Sequence, residues 1–248
     1  ALRARAGAWA DAGAEVAYLD RPAIRNRTGA DGYAAAIDFR SGGTIDPLAY
    51  TRGLARAAAA RGAAIFARSP VARMARDGGA WHLETQGGSL RAKRVVLATN
   101  GSFGPAAAAI VPVEVHQIAT APLDARGRAR VLPSGGCLTD MRRDAVALRQ
   151  TPQGGLHGGG VAALPWNAAA RLAPFFWRRF RTLFSGIDVP PVARIWSGRI
   201  AATPDFFPRL YEIGPGCVAP LWCNGRGNAL ATVLGAELAR ALARDRLE

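Results

Sequence analysis

Lysine is almost missing from this chain: Lys93 is the only one in 248 residues, although Lys and Arg together number 32 against 18 Asp and Glu. Cysteine and histidine are also scarce, with three of each. Cys137, Cys217 and Cys223 form no CxxC pair; the odd count points to a reducing compartment, and a cytoplasmic location is the expectation. His82, His116 and His157 are far apart in the chain and fit no metal-ligand spacing. No apolar run of about 18 residues escapes charge, Gly or Pro, so no integral membrane helix is expected. No stretch reads as a secretory leader either.

The net charge of +14 invites a nucleic-acid or anionic-surface partner. The arginines are scattered, however, and accompany abundant alanine, the pattern of a GC-rich coding sequence; no nucleic-acid partner is expected. The densest basic stretch, FFWRRFRTLF (175–184), reads as an amphipathic helix with Arg178, Arg179 and Arg181 on a solvated face, or as a helix docking on a membrane surface or partner.

Half of the residues are hydrophobic, enough for one large domain or two small ones. Ala34 to Phe39 reads as a strand ending in the turn Ser41-Gly42-Gly43. Asp46-Pro47 then starts a helix, Asp as cap and Pro in the first turn, which Arg61-Gly62 stops. Ala63 to Ala67 reads as the next short strand. From Val71 a three-stranded meander is expected, with turns at Gly78-Gly79 and Gly87-Gly88. Arg94 to Ala98 reads as a strand buried on both faces, as in a parallel sheet. Between Pro112 and Ile195, strands alternate with Gly/Pro turns around one helical insert, 167–184, and no βαβ rhythm appears. Strands at Arg199 to Thr203 and Cys217 to Leu221 follow, then a helix from Ala229 to Arg244.

Two textures therefore interleave. Residues 46–104 and 196–248 form an α/β module; residues 1–45 and 105–195 form an antiparallel-sheet module. The last helix leaves an open corner, Gly225-Arg226-Gly227-Asn228-Ala229, where free helix-start amides and glycines suit an anionic or electron-rich atom.

In that order, GGTIDPLAYTRGLARAAAARGA, SPV, RVVLATNG, WSGRIAATPD and GRGNALATVLG make the chain resemble the FAD-dependent D-amino-acid oxidase/glycine oxidase superfamily. The closest flavour is the gamma-glutamylputrescine oxidase-like branch. The resemblance implies an incomplete Rossmann-like FAD-binding domain interleaved with an antiparallel-sheet substrate domain. It implies that the strand at Val71 meets the adenine, and that Ala98, Thr99, Asn100 and Gly101 pass the dinucleotide near its phosphates. Gly198, Arg199 and Ile200 would flank the flavin ring, and Gly225, Arg226, Gly227, Asn228 and Ala229 would face the pyrimidine end of the isoalloxazine. Hydride accepted at N5 leaves charge toward N1 and O2, which a helix start aided by Arg226 would stabilise.

Three departures refine this. Some sarcosine oxidases attach flavin through a cysteine where this chain has Gly198, so FAD is expected to be non-covalent. Those enzymes carry a lysine where Ala229 stands, which favours a larger amine over a sarcosine-like substrate. The family's GxGxxG fingerprint does not occur in this sequence, so the expectation is a fragment, or half of a split enzyme, that holds FAD poorly alone and needs an N-terminal FAD-binding segment or subunit.

The implied activity is oxidation of the carbon next to an amine nitrogen, in a small-molecule amine or amino acid. Arg199, Arg226, Trp222 and His116 are the candidate catalytic residues, with Gln117, His157 and Trp196 as further pocket candidates. The plainer readings stay beside these: surface arginines, packing tryptophans, a solvent-facing His116, and a strand-ending turn in GGLHGGG around His157. The alternative for the whole chain is a non-catalytic remnant with the same fold.

Overall fold

The computed structural model describes residues 1–100, 110–140, 146–161 and 167–244. The chain divides into two compact units, one of Ala1–Ile45 with Glu114–Gly198, the other of Asp46–Val113 with Arg199–Glu248.

The first unit begins with α1 (Leu2–Asp11), β1 (Val16–Asp20), α2 (Arg21–Thr28) and β2 (Ala35–Phe39). Asp20 ends β1 and starts α2, because its Oδ1 accepts the Ala23 amide at 3.0 Å. Gly29 closes α2 at φ 73°, and a Cβ there would sit 2.0 Å from the Arg130 carbonyl oxygen. β1 and β2 pair antiparallel.

A five-stranded sheet follows, built from β7 (Val111–Pro122), β8 (Cys137–Thr139), β9 (Ala147–Gln150), β10 (Gly155–Val161) and β11 (Val192–Ala202) in the order β11-β7-β10-β9-β8. β10 pairs antiparallel with both β7 and β9, and β8 with β9. Helices α4 (Ala125–Arg130) and α5 (Ala168–Leu183) complete the unit.

One side of this sheet and α5 share the core. Phe176, Phe180, Leu183 and Phe184 join Ile118, Leu148, Leu156, Val131 and Val146 in one buried cluster. Phe176, Phe180 and Phe184 fall at helical spacing, so α5 carries a continuous aromatic stripe. Its basic face departs from the sequence expectation. Arg179 is nearly buried and pairs with the buried Asp140 carboxylate at 2.8 Å. Asp140 also accepts the Val146 amide at 3.0 Å and the Tyr33 hydroxyl at 3.3 Å. Burying one arginine against a hydrogen-bonded carboxylate fixes the helix's rotation instead of solvating that position.

The second unit holds α3 (Pro47–Ala60), the meander β3 (Arg73–Asp77), β4 (Ala80–Thr85) and β5 (Gly88–Ala92), and the sheet of β6 (Val95–Val96), β12 (Arg209–Gly214) and β13 (Cys217–Leu221), followed by α6 (Gly227–Ala243). Asp46 caps α3 by accepting the Leu48 and Ala49 amides at 3.0 and 2.9 Å. Trp81 of β4 donates its indole N–H to the Pro215 carbonyl at 3.0 Å and packs with Val95 and Cys217.

Two strand expectations fail here. Ala63 to Ala67 forms no strand, and Ile65 and Phe66 stand exposed. The stretch Arg94 to Ala98 contains only the two-residue β6, which pairs parallel with β13 and ends the order β12-β13-β6. The two faces of this edge strand are not both covered: Val95 is buried, but Val96 is 39% exposed.

Candidate functional site

In the second unit, the chain leaves β13 at Leu221 and turns through Trp222, Cys223, Asn224 and Gly225 into α6. Asn224 and Gly225 take left-handed backbone, φ 42° and 77°. Asn224 is held there because its buried Oδ1 accepts the Thr203 amide at 2.7 Å, while its Nδ2 has no hydrogen-bond partner among the described residues. Gly227 opens the helix, and a Cβ on it would lie 3.0 Å from Cys223 Sγ. This contact restricts the position more than the turn geometry does.

No side chain caps α6. The Ala229 and Leu230 amides both bond the Arg226 carbonyl, and the Gly227 and Asn228 amides have no hydrogen-bond partner among the described residues. Arg226 and Asn228 are exposed. The corner thus presents two free N–H groups, the positive end of a 17-residue helix and a guanidinium in one place.

Beside it lies a cavity of about 470 Å³. Val96, Ala98 and Asn100 line it from the end of β6, Trp222, Cys223 and Gly227 from the corner, and Ala231, Gly235 and Ala239 from α6. Those last three fall four residues apart, a strip of small residues along the helix, with Leu238 and Leu242 lining the cavity beside it. Asn100 has φ 45°. The cavity therefore brings together Ala98, Asn100, Trp222 and Gly227, four residues that the sequence names as site candidates from two distant segments. Ile200 reaches the corner too, its Cδ1 lying 3.7 Å from where a Gly225 Cβ would be.

Other candidates do not line this cavity. Val71 is half exposed, ahead of β3, and Thr99 is exposed. Arg199 is exposed on β11, as is Gly198, where a Cβ would meet nothing within 4 Å. Gly101 lies outside the described residues.

In the first unit, His116 and Gln117 are neighbours on β7 and so point to opposite faces. His116 is buried on the side of Ile118 and Thr120, so it does not face solvent. Its Nε2 lies 3.2 Å from a Glu114 carboxylate oxygen, and its Nδ1 has no hydrogen-bond partner among the described residues. His157 belongs to the interior of β10, so GGLHGGG is strand and not a strand-ending turn. Gly158 and Gly159 are glycine because neighbouring strands leave no room: a Cβ would sit 2.2 Å from the Ala147 oxygen and 2.0 Å from the His116 oxygen. His157 stacks on Trp196, ring centroids 5.0 Å apart at 36°. Burial, with the Arg149 charge as the lesser cause, lowers its pKa to about 4.

Sequence reading missed Asn224, Cys223 and Arg149. Cys223 and Asn224 sit just ahead of the corner that begins at Gly225, and their roles are set by Gly227 and Thr203, contacts that spacing does not encode. Arg149 had a usable signal, since Leu148-Arg149 alternates apolar and polar along a strand.

The family profile of FAD dependent oxidoreductases, DAO, matches residues 1–241, and the chain belongs to that family. A probable oxidoreductase, OrdL, of Rhizobium meliloti (strain 1021) is 28% identical over 231 residues, covering 90% of this chain and 54% of its own. The OrdL of Haemophilus influenzae is 25% identical over 234 residues, covering 91% and 53%. The chain thus spans about half the length of the curated relatives it matches. Among solved structures, glycine oxidase from Geobacillus kaustophilus superposes with TM-score 0.80 at 18% identity, covering 98% of this chain and 67% of that one. L-proline dehydrogenase from P. horikoshii gives 0.78 at 19%, covering 96% and 67%. These likenesses establish the fold, an α/β FAD-binding fold with antiparallel sheets, and FAD is the family's cofactor. No helix among the described residues is long and apolar enough to cross a membrane.

Proposed function

We propose that this chain is the larger part of a cytoplasmic FAD-dependent oxidoreductase that oxidises the carbon next to the nitrogen of an amine or amino acid. The observation that supports it most is the uncapped start of α6 beside an apolar cavity that Asn100, Trp222 and Gly227 line together. The donor set fits an electron-rich flavin edge. Two unpartnered amides and a helix terminus favour partial negative charge, and Gly227 lets a ring approach the backbone.

When bound, FAD supplies the acceptor for the hydride leaving the amine-bearing carbon, and water hydrolyses the resulting imine. The chain's own residues hold and orient. Gly227 and Asn228 would donate their amides toward developing negative charge, and Arg226 would add a mobile cation at the same edge. Ala98 and Asn100 would border the dinucleotide; the roles of Val71, Thr99, Gly101, Gly198, Arg199, Ile200, Gly225 and Ala229 as further FAD contacts belong to the same reading. Trp222 would wall the cavity against water. No side chain is required as general base, because the neutral amine can release hydride once oriented. With Gly198 at the position of a covalent cysteine, FAD is held non-covalently.

The test is flavin titration of the purified chain, followed by anaerobic addition of amines and amino acids. Bleaching of the flavin band by one of them, with the chromophore released on acid denaturation, is the expected result. A flavin-loaded protein that no amine or amino acid bleaches would refute the activity.

A second reading concerns the partner. β6 has one strand beside it, and Leu48, Leu54, Ile65, Phe66, Phe206 and Phe207 are all exposed in the second unit. This much apolar surface favours completion by a further FAD-binding segment or subunit, without which flavin is held weakly. Tight, stoichiometric FAD uptake by these 248 residues alone would eliminate that requirement.

A further inference from the structure

Asn224, in the turn before α6, is only 7% exposed and takes left-handed backbone at φ 42°. The Thr203 amide is a donor only, so the side-chain oxygen must face it and the Nδ2 group is turned away. That Nδ2 is buried with no hydrogen-bond partner among the described residues, and a buried donor left unmet costs stability. Two other residues would avoid this cost. Glycine takes left-handed backbone more readily, and aspartate would accept the same Thr203 amide with no donor to leave unmet.

What asparagine combines is an acceptor and neutrality. The acceptor matters because Thr203 is itself fixed. Its amide donates to Asn224 Oδ1 at 2.7 Å, its hydroxyl donates to the Phe207 carbonyl at 2.8 Å, and its carbonyl accepts the Phe206 amide at 3.0 Å. Thr203 is 2% exposed. The turn is thus clasped to a fixed point of the same unit. From Asn224 the backbone runs through Gly225 to Arg226, whose amide bonds the Cys223 carbonyl and whose carbonyl takes the Ala229 and Leu230 amides. No side chain caps the helix, so the clasp is what ties its approach to the chain beyond β11.

Neutrality matters because α6 begins as a positive end with the Gly227 and Asn228 amides free. A carboxylate in the turn just ahead of Arg226 would cancel that potential from within the protein, and would stabilise the helix by doing so. Asparagine holds the turn and leaves the potential to a ligand.

We propose that Asn224 is a positioning residue for this corner: it clasps Thr203 to hold the turn while keeping the positive end of α6 uncancelled. That the potential serves a flavin edge rests on the function proposed above; the hold on the turn does not.

The experiment compares the full chain with Asn224→Gly and Asn224→Asp. Glycine keeps the left-handed backbone and the neutrality but removes the clasp; aspartate keeps the clasp and adds a charge. In the flavin-free chain, hydrogen exchange of the Arg226, Ala229 and Leu230 amides should speed up roughly tenfold or more in Asn224→Gly, with the β13 amides unchanged, and should not speed up in Asn224→Asp. FAD is then titrated in its oxidised and reduced forms. Asn224→Gly should weaken both by a similar factor. Asn224→Asp should weaken reduced FAD about tenfold more than oxidised FAD, which lowers the two-electron potential of the bound flavin by about 30 mV. A merely structural role would move neither that ratio nor the potential. Unchanged exchange in Asn224→Gly, or exchange raised as much in Asn224→Asp, would overturn the clasp; an unchanged ratio in Asn224→Asp would overturn the part given to neutrality. Should one variant fail to fold, the other decides. A chain that takes up no FAD fails the function proposed above, and the exchange comparison still decides the role of Asn224.

Discussion

The two units bury their apolar residues to very different extents. In the first, three phenylalanines of one helical stripe reach full burial against three strands. In the second, α3 buries none of its residues, and Trp81, Val95 and Cys217 form a buried cluster of three. The second unit contains the free helix start and the apolar cavity. The lesson is that the first unit is organised by its own core, whereas the second leaves a helix start and several large apolar side chains exposed. FAD bound there, as proposed above, would also stabilise the second unit.

The sharpest way to break the comparison is a matched pair of truncations. Phe180→Ala should destabilise by about 3–5 kcal/mol in urea unfolding, because it empties a closed core. Phe66→Ala, at a side chain 75% exposed, should change stability by no more than about 0.5 kcal/mol. Equal costs would mean the second unit is packed as tightly as the first.

Next in size is the buried ion pair. Asp140→Ala should cost about 3 kcal/mol, since Arg179 is left buried without its carboxylate. The same denaturation measurement checks it, and a loss below about 1 kcal/mol would make α5 independent of that contact.

Gly227→Val tests the second unit. A branched side chain would be driven into Cys223 Sγ and onto the free amides, and FAD affinity should fall by about tenfold or more, roughly 1.4 kcal/mol, in a flavin titration. Unfolding of the flavin-free protein should change less than unfolding of the flavin-bound one.

The smallest effect is a pH dependence confined to the first unit. His157 titrates near 4 when folded and near its ordinary 6.5 when unfolded. The unfolded chain therefore binds more protons between those values. The contribution of neutral His157 is complete above about pH 6.5 and fades as pH falls toward 4. His157→Gln should flatten this slope in Tm measured from pH 7 to 4; an unchanged slope assigns it to other groups.

Much of the local structure was legible in the sequence. Asp46-Pro47 gave the start of α3, paired glycines gave the turns of the meander, and the stripe from Phe176 to Phe184 gave α5, since each signal acts within one turn of backbone. The failures are Ala63 to Ala67, a strand in composition only, and Arg94 to Ala98, of which only Val95–Val96 forms a strand. A strand needs a neighbour to take its hydrogen bonds, and no residue within the segment reports whether one is there.

The order of motifs along the chain determined the family, and with it the expectation of FAD, because glycines and helix starts are restricted by their own backbone chemistry. Tertiary structure alone decided which of those residues meet: Asn100 with Gly227 around one cavity, Arg149 with His157 across a strand pair, and His116 turned to the opposite face from Gln117. Register and packing join residues far apart in sequence, and a shift of one position along a strand reverses every side chain, so spacing in the chain cannot fix such meetings.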